Sequence, residues 1–227
     1  MADFRRQQIL ATIPLVGTLC GIAGAVDVIA YLLFGKVFIA NMTGNTVLFA
    51  ASVVVHDWKQ AALRIGVVLA FLVGIFLAQA GLRRMMGGRE RLRRLTTLAI
   101  EFVMLVWLAL MPHPDALRSM LLIVLALTLG MQNNTFQRIG PVKLSTAFIT
   151  GDLENLGEAI ADSEEPGKRR EGRLRAAVFL TTWIAYAVGA LLGAFGALHL
   201  AERALWIPAG LVLLAATMVV RMPASSF

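Results

Sequence analysis

One acidic side chain stands inside an otherwise uncharged stretch of the sequence. Asp27 is the single charged residue between Ile9 and Phe34, a run long enough to cross about 30 Å of hydrocarbon as a helix of roughly 20 residues. A carboxylate at that depth is costly, and such residues usually bind a proton, an ion or a polar partner. The sequence therefore leaves two roles open for Asp27: a proton or cation site, or a carboxylate hydrogen-bonded to Gln132 or Asn134.

Two related motifs each place a Thr-Gly pair between an extended stretch and a short helix. The strings are FIANMTGN in the first half of the chain and STAFITGD in the second. Thr43 and Thr150 are predicted to cap helices over 44–56 and 151–161. A helix that begins inside a membrane presents unpaired backbone N–H groups and the positive end of its dipole.

The two helix starts are predicted to meet in one polar site at the bilayer midplane. Irregular backbone at that depth is tolerated only where it is buried in protein or lines a watery cavity. The alternative is that the polar side chains make ordinary hydrogen bonds between helices. The predicted substrate- or ion-binding residues are Asp27, Asn41, Thr43, Gly44, Asn45, Gln132, Asn133, Thr150, Gly151 and Asp152.

The composition is that of a membrane protein. Of 227 residues, 58% are hydrophobic and 15% are charged, and the mean hydropathy is +0.75, whereas a soluble domain carries about 25% charged residues. We predict a single integral membrane domain over 1–227. The net charge of +7 is attributed to cytoplasmic loops rather than to binding of nucleic acid. Cys20 is the one cysteine, and neither a cofactor nor a metal site is expected.

The sequence has eight apolar segments, which is more than the number of full membrane spans that fits the distribution of positive charge in its loops. The segments are 9–34, 37–56, 62–82, 95–112, 116–137, 142–160, 174–200 and 203–221. The loops Arg83–Arg94 and Asp162–Arg175 hold 11 of the 21 Lys and Arg residues, and eight full spans would put them on opposite sides. Cytoplasmic loops are enriched in Lys and Arg, so 37–56 and 142–160 are predicted to be re-entrant. The expected fold is all-α, with six transmembrane helices, two re-entrant half-helix segments and cytoplasmic termini.

The chain also contains an internal repeat. Besides the Thr-Gly motifs, GAVD in the first half aligns with GMQN in the second, and FLVG aligns with YAVG. The halves are 9–112 and 116–221. With six spans they would have opposite orientations, and inverted repeats of this kind are typical of secondary transporters.

Small residues recur at helical spacing and predict close helix packing. Gly17, Gly21, Gly74, Gly189 and Gly193 follow or approach the small-xxx-small pattern, which allows two helix backbones to approach. We expect this packing within one chain, and a homodimer is the other arrangement that such faces allow.

Four strings give the sequence a family resemblance: AGAVDVIAYL, FIANMTGNTVL, LGMQNN and FITGDLENLG. Together they resemble the YoaK-like family of small bacterial membrane proteins, over nearly the whole chain. The resemblance implies a multi-pass protein of the bacterial inner membrane with approximately six spans. It implies no particular activity, so no catalytic residue is carried over from it.

These patterns are compatible with three functions. A transporter or channel for a small polar solute or ion, not an enzyme, is the leading expectation, with the lipid bilayer and that solute as partners. The two dipole ends favour an anion, whereas Asp27 and Asp152 favour a proton-coupled or cation-coupled process, with Asp27 as the proton carrier. A non-transporting membrane scaffold is the second possibility. An intramembrane aspartyl protease is the third, although Ile149 stands where a GxGD motif would have glycine.

Overall fold

Helices account for nearly all of the regular structure in the computed structural model, which describes residues 2–110, 115–139, 142–143, 149–165 and 167–222. Their bounds are α1 Ala2–Leu33, α2 Met42–Val54, α3 Trp58–Phe76, α4 Arg83–Met86, α5 Glu90–Leu110, α6 Asp115–Thr135, α7 Ile149–Glu164, α8 Arg169–Leu200 and α9 Trp206–Arg221. A π-helical turn over Leu77–Leu82 joins α3 to α4, and a 3₁₀ helix over Ala201–Leu205 joins α8 to α9. A two-residue antiparallel pair, Arg138–Ile139 with Val142–Lys143, precedes α7.

Three helical stretches of the described chain are long and apolar enough to cross a membrane. They are Ala11–Leu33, Trp58–Met86 and Arg169–Arg221, the last of which is interrupted by the 3₁₀ helix. Helix α2 is apolar but has only 13 residues, which is too short for a full span of about 20 residues. The chain is therefore a helical protein with the hallmarks of a membrane protein.

The long helices of the first half pack against long helices of the second half. The most extensive contacts are those of α1 with α8 and of α3 with α6, and each short helix lies on the long helix that follows it, α2 on α3 and α7 on α8. Helix α9 packs against α1 and α5, and α5 also packs against α6. If α1, α2, α3 and α5 are exchanged for α6, α7, α8 and α9, this set of pairs is unchanged.

Glycines lie where these helix pairs touch backbone to backbone. A methyl group added to Gly189 of α8 would stand 2.7 Å from both the Cα and the carbonyl carbon of Gly21 in α1. At the matching place in the first half, a methyl on Gly74 would stand 2.9 Å from the carbonyl carbon of Leu127. Such distances leave no room for a side chain, so both crossings depend on glycine.

The other glycines predicted for packing differ in how much room surrounds them. A methyl on Gly193 would stand 2.7 Å from the backbone oxygen of Ala25. Gly17 and Gly21 have more space, because their added methyl groups would be 3.4 and 3.5 Å from the nearest atoms. The tight surface of α1 is thus its backbone at Gly21 and Ala25.

The short helices begin earlier than the sequence predicted. Helix α2 starts at Met42, and its cap is Asn41, whose Oδ1 accepts a 3.0 Å hydrogen bond from the backbone N–H of Gly44. Asparagine caps a helix at least as well as threonine. Asn41 comes two residues before Thr43, at the end of the segment 37–41, and the helix begins directly after it. The prediction that Thr43 caps this helix is therefore wrong. Thr150 is the second residue of α7, so the same correction applies to it.

Candidate functional site

Asp27 ties the first helix to the extended segment that precedes α2. Its Oδ1 accepts hydrogen bonds of 2.6 Å from the backbone N–H groups of both Ile39 and Ala40. Its Oδ2 accepts a 2.7 Å bond from the hydroxyl of Tyr186 in α8. The side chain is 1% exposed. Both carboxylate oxygens are thus engaged, and the donors are not the Gln132 or Asn134 side chains that the sequence offered.

The extended segment 37–41 is fixed from its other side by α2. The Asn45 side chain accepts a 2.9 Å bond from the N–H of Phe38 and donates a 2.6 Å bond to its carbonyl oxygen, which is the pairing that a neighbouring β-strand would supply. The ring of Phe38 stacks on Tyr31 at 5.1 Å between centroids. A methyl on Gly44 would meet the Phe38 ring at 2.9 Å. This glycine therefore makes room for the aromatic ring.

The second short helix places its own carboxylate in the interior. Asp152, in the first turn of α7, is 3% exposed. It lies beside the Thr182 hydroxyl of α8 and close to the Cys20 thiol of α1. Its Oδ2 has no hydrogen-bond partner among the described residues. Among the described residues predicted for the site, Asp152 and Gln132 are the two that have an unsatisfied buried acceptor.

The segment that precedes α2 and the start of α7 therefore reach the same pair of long helices. Thr182 and Tyr186 are four residues apart on α8, so they share one face of that helix, about 6 Å apart along its axis. Tyr186 contacts Asp27 and Thr182 lies beside Asp152. The structure thus brings Asp27 and Asp152 to adjacent turns of the α1–α8 pair.

The remaining predicted residues lie around this pair to different degrees. Gln132 of α6 is fully buried, and neither its oxygen nor its nitrogen has a hydrogen-bond partner in the described part of the chain. Asn133 and Gly151 are half-buried, whereas Thr43 is exposed. The side chain of Thr150 lies outside the described residues.

Two interior residues that hold the site together were not predicted. Tyr186 could have been found from the repeat, because it aligns with Phe71 and adds a hydroxyl opposite Asp27. Arg64 of α3 is 9% exposed, donates a 2.8 Å bond to the Leu48 carbonyl oxygen and contacts the Ser52 hydroxyl. The sequence offered no signal for Arg64, which reads as a loop-proximal cation.

Comparison with known proteins identifies the family. Residues 15–218 match the family described as "Protein of unknown function (DUF1275)". The chain is 29% identical to the UPF0700 transmembrane protein YoaK of Bacillus subtilis (strain 168) over 205 residues, which cover 87% of this chain and 89% of that protein. No solved structure matches the chain. The resemblance to YoaK-like proteins is confirmed, and the chain belongs to the DUF1275 family of transmembrane proteins.

Proposed function

We propose that this protein is a transporter or channel for a small polar solute or ion, with its site where the N-terminal turns of α2 and α7 reach the α1–α8 pair. The observation that carries the proposal is the unsatisfied Asp152 Oδ2 at the start of a short helix, beside Thr182 and Cys20 in the interior. An acceptor of this kind suits a polar solute or a cation. The proposal assigns no chemical reaction to the protein.

The proposed architecture is six spans and two re-entrant helices arranged as inverted repeats. Two observations support it. The set of helix contacts is unchanged when the helices of one half are exchanged for those of the other, and glycines lie at corresponding helix crossings in the two halves. Gly24 meets the Tyr186 backbone, and Gly130 meets the Phe71 backbone, with a methyl 3.0 and 2.9 Å from the respective carbonyl carbons. These are the positions that the sequence repeat aligns. Inverted repeats with broken helices at the midplane are the general design of secondary transporters.

In this proposal Asp27 acts as an anchor rather than as the proton carrier that the sequence suggested. Two backbone N–H groups and one hydroxyl already donate to its carboxylate. The contacts also connect α1, the extended segment and α8, so Asp27 sets where α2 begins.

Sidedness tests the architecture. In a Cys20→Ala background, single cysteines at Gly88 and Gly167 have open space around their Cβ positions. If both basic loops lie on the cytoplasmic side of the bacterial inner membrane, neither cysteine reacts with a membrane-impermeant thiol reagent until the cells are opened. Labelling of one position from outside would show that the short helices belong to full spans, and the inverted repeat would be withdrawn.

Flux through proteoliposomes tests the function. The purified protein is reconstituted into liposomes, and the swelling of these liposomes is followed in solutions of urea, glycerol, sodium chloride and potassium chloride. We expect at least one solute to enter faster than into protein-free liposomes, and Asp152→Asn to change that rate several-fold. Glu154→Gln is the matched control, because Glu154 is exposed on the same helix. If no solute enters faster, the scaffold alternative replaces transport.

A further inference from the structure

A second carboxylate is buried away from the two helix starts. Glu101 lies near the middle of α5 and is 0% exposed, and neither of its carboxylate oxygens has a hydrogen-bond partner among the described residues. Gln132 of α6 is also 0% exposed, with both polar atoms of its side chain unsatisfied. Buried polar groups are nearly always hydrogen-bonded, so two such side chains require an explanation.

The two side chains lie at the same level of one helix hairpin. Helices α5 and α6 pack together and follow each other in the chain. The Thr97 and Thr135 hydroxyls are 3.3 Å apart across this interface. Glu101 is four residues after Thr97, and Gln132 is three residues before Thr135. Because the helices are antiparallel, both lie about one turn deeper in the hairpin, on the faces that carry the threonines.

No cation lies at that level among the described residues. Apart from Glu101, the charged residues on α5 and on the elements packed against it lie towards helix ends: Arg83, Arg84, Glu90, Arg91, Arg93, Arg94, Asp115, Arg118, Glu202, Arg203 and Arg221. The nearest along α5 is Arg94, seven residues from Glu101 or about 10 Å along the axis. Arg118 is paired with Glu202 at 2.6 Å, near the opposite end of α6 from Gln132.

An ionised carboxylate in such surroundings is strongly disfavoured, and a protonated one is not. We propose that Glu101 is the proton-binding residue of the transport cycle, holding its proton while it is buried at the level of Gln132 and releasing it when the α5–α6 interface opens to water. This inference rests on the proposed transport function and adds the coupling ion to it.

The chemistry of the neighbourhood fits a proton. A protonated carboxyl group has one O–H donor and acceptor oxygens, and the Gln132 amide offers one acceptor and two N–H donors. The Thr97 and Thr135 hydroxyls are engaged with each other. Asn133, the next residue after Gln132, aligns with Asp27 in the repeat. Opening of the α5–α6 interface at Glu101 would thus move the part of α6 around Asn133, which corresponds in the repeat to the part of α1 around Asp27.

Infrared spectroscopy of the reconstituted full-length protein tests the protonation. Wild type and the exposed-residue control Glu154→Gln should both show the C=O stretch of a buried protonated carboxyl group, and Glu101→Gln should lack it. Glu101→Asp, which keeps the acid, should retain a shifted band. An unchanged band in Glu101→Gln would overturn the assignment. Conversion of the Glu101 band to a carboxylate band on addition of sodium chloride would also overturn it, in favour of a sodium site.

Flux under a pH gradient tests the coupling separately. With a solute that enters wild-type liposomes, we expect an imposed pH gradient to change the wild-type rate several-fold. Glu101→Gln should still pass the solute down its own gradient, without a response to pH. A normal pH response in Glu101→Gln would refute the coupling role and leave the transport proposal standing. Absence of flux in wild type would refute transport itself, and the coupling role with it.

Discussion

Replacing Gly189 by alanine should loosen the helix crossing on which the site is built. The added methyl would lie 2.7 Å from the Cα of Gly21 and closer still to its carbonyl oxygen, whereas ordinary contacts begin at 3.4 Å, so α1 and α8 would have to separate by more than about 0.7 Å. Forcing an extra methyl into a packed interior costs about 1–3 kcal/mol. The Asp27–Tyr186 hydrogen bond lies nearby on the same two helices and should lengthen as well.

Thermal unfolding of the detergent-solubilised protein measures this effect. For a chain of this size a loss of 2 kcal/mol corresponds to a Tm lower by about 4–8 °C. Gly74→Ala, at the matching crossing of α3 and α6, should lose a similar amount. Gly210→Ala is the control: nothing lies within 4 Å of its added methyl, and alanine favours a helix over glycine by about 1 kcal/mol. A Tm for Gly189→Ala equal to that of wild type, with Gly210→Ala behaving as expected, would refute the packing argument.

Four further substitutions test the contacts around the short helices, each by the same thermal assay. Asp27→Asn removes one of two acceptor oxygens and should destabilise by about 1–3 kcal/mol; Tyr186→Phe, which removes one donor only, should cost less, and equal losses would contradict this ranking. Asn45→Ala leaves the Phe38 N–H and C=O without partners and should cost about 1–3 kcal/mol, with full stability counting against the strand-like pairing. Arg64→Met keeps the aliphatic packing but removes the charged donor to the Leu48 carbonyl oxygen, which still accepts from the Ser52 hydroxyl, and a loss of about 1–3 kcal/mol is expected; an unchanged Tm would show that this contact is dispensable.

The sequence predicted the main helices because their apolar runs are long and their breaks carry charge. It missed the start of α2 because Asn41 and Thr43 are both good caps, and local preference alone does not choose between positions two residues apart. The geometry of the extended segment decided the choice. The sequence also singled out Asp27 but offered the wrong partners, since two of its three donors are backbone N–H groups, which every non-proline residue has and which no sequence pattern identifies.

Each of the two helix starts has one acidic side chain close to it, but a different helix supplies that side chain in each half. In the first half the carboxylate comes from α1, as Asp27, and the short helix has the neutral Asn45. In the second half the short helix has Asp152, and the residue that aligns with Asp27 is the neutral Asn133. Each start therefore has one buried acid, although no acid occupies the same position twice.

This distribution bears on the solute. A helix N-terminus carries roughly half a positive charge, and the carboxylate at each start more than offsets it when it is ionised. Asp27 has donors on both oxygens, whereas Asp152 has one oxygen unsatisfied among the described residues, so the unsatisfied acceptor is on the α7 side. An anion would meet this carboxylate, and a cation or a neutral hydrogen-bond donor would satisfy it. We therefore infer that, of the ligand classes the sequence left open, a cation or a neutral polar solute fits the site and an anion does not.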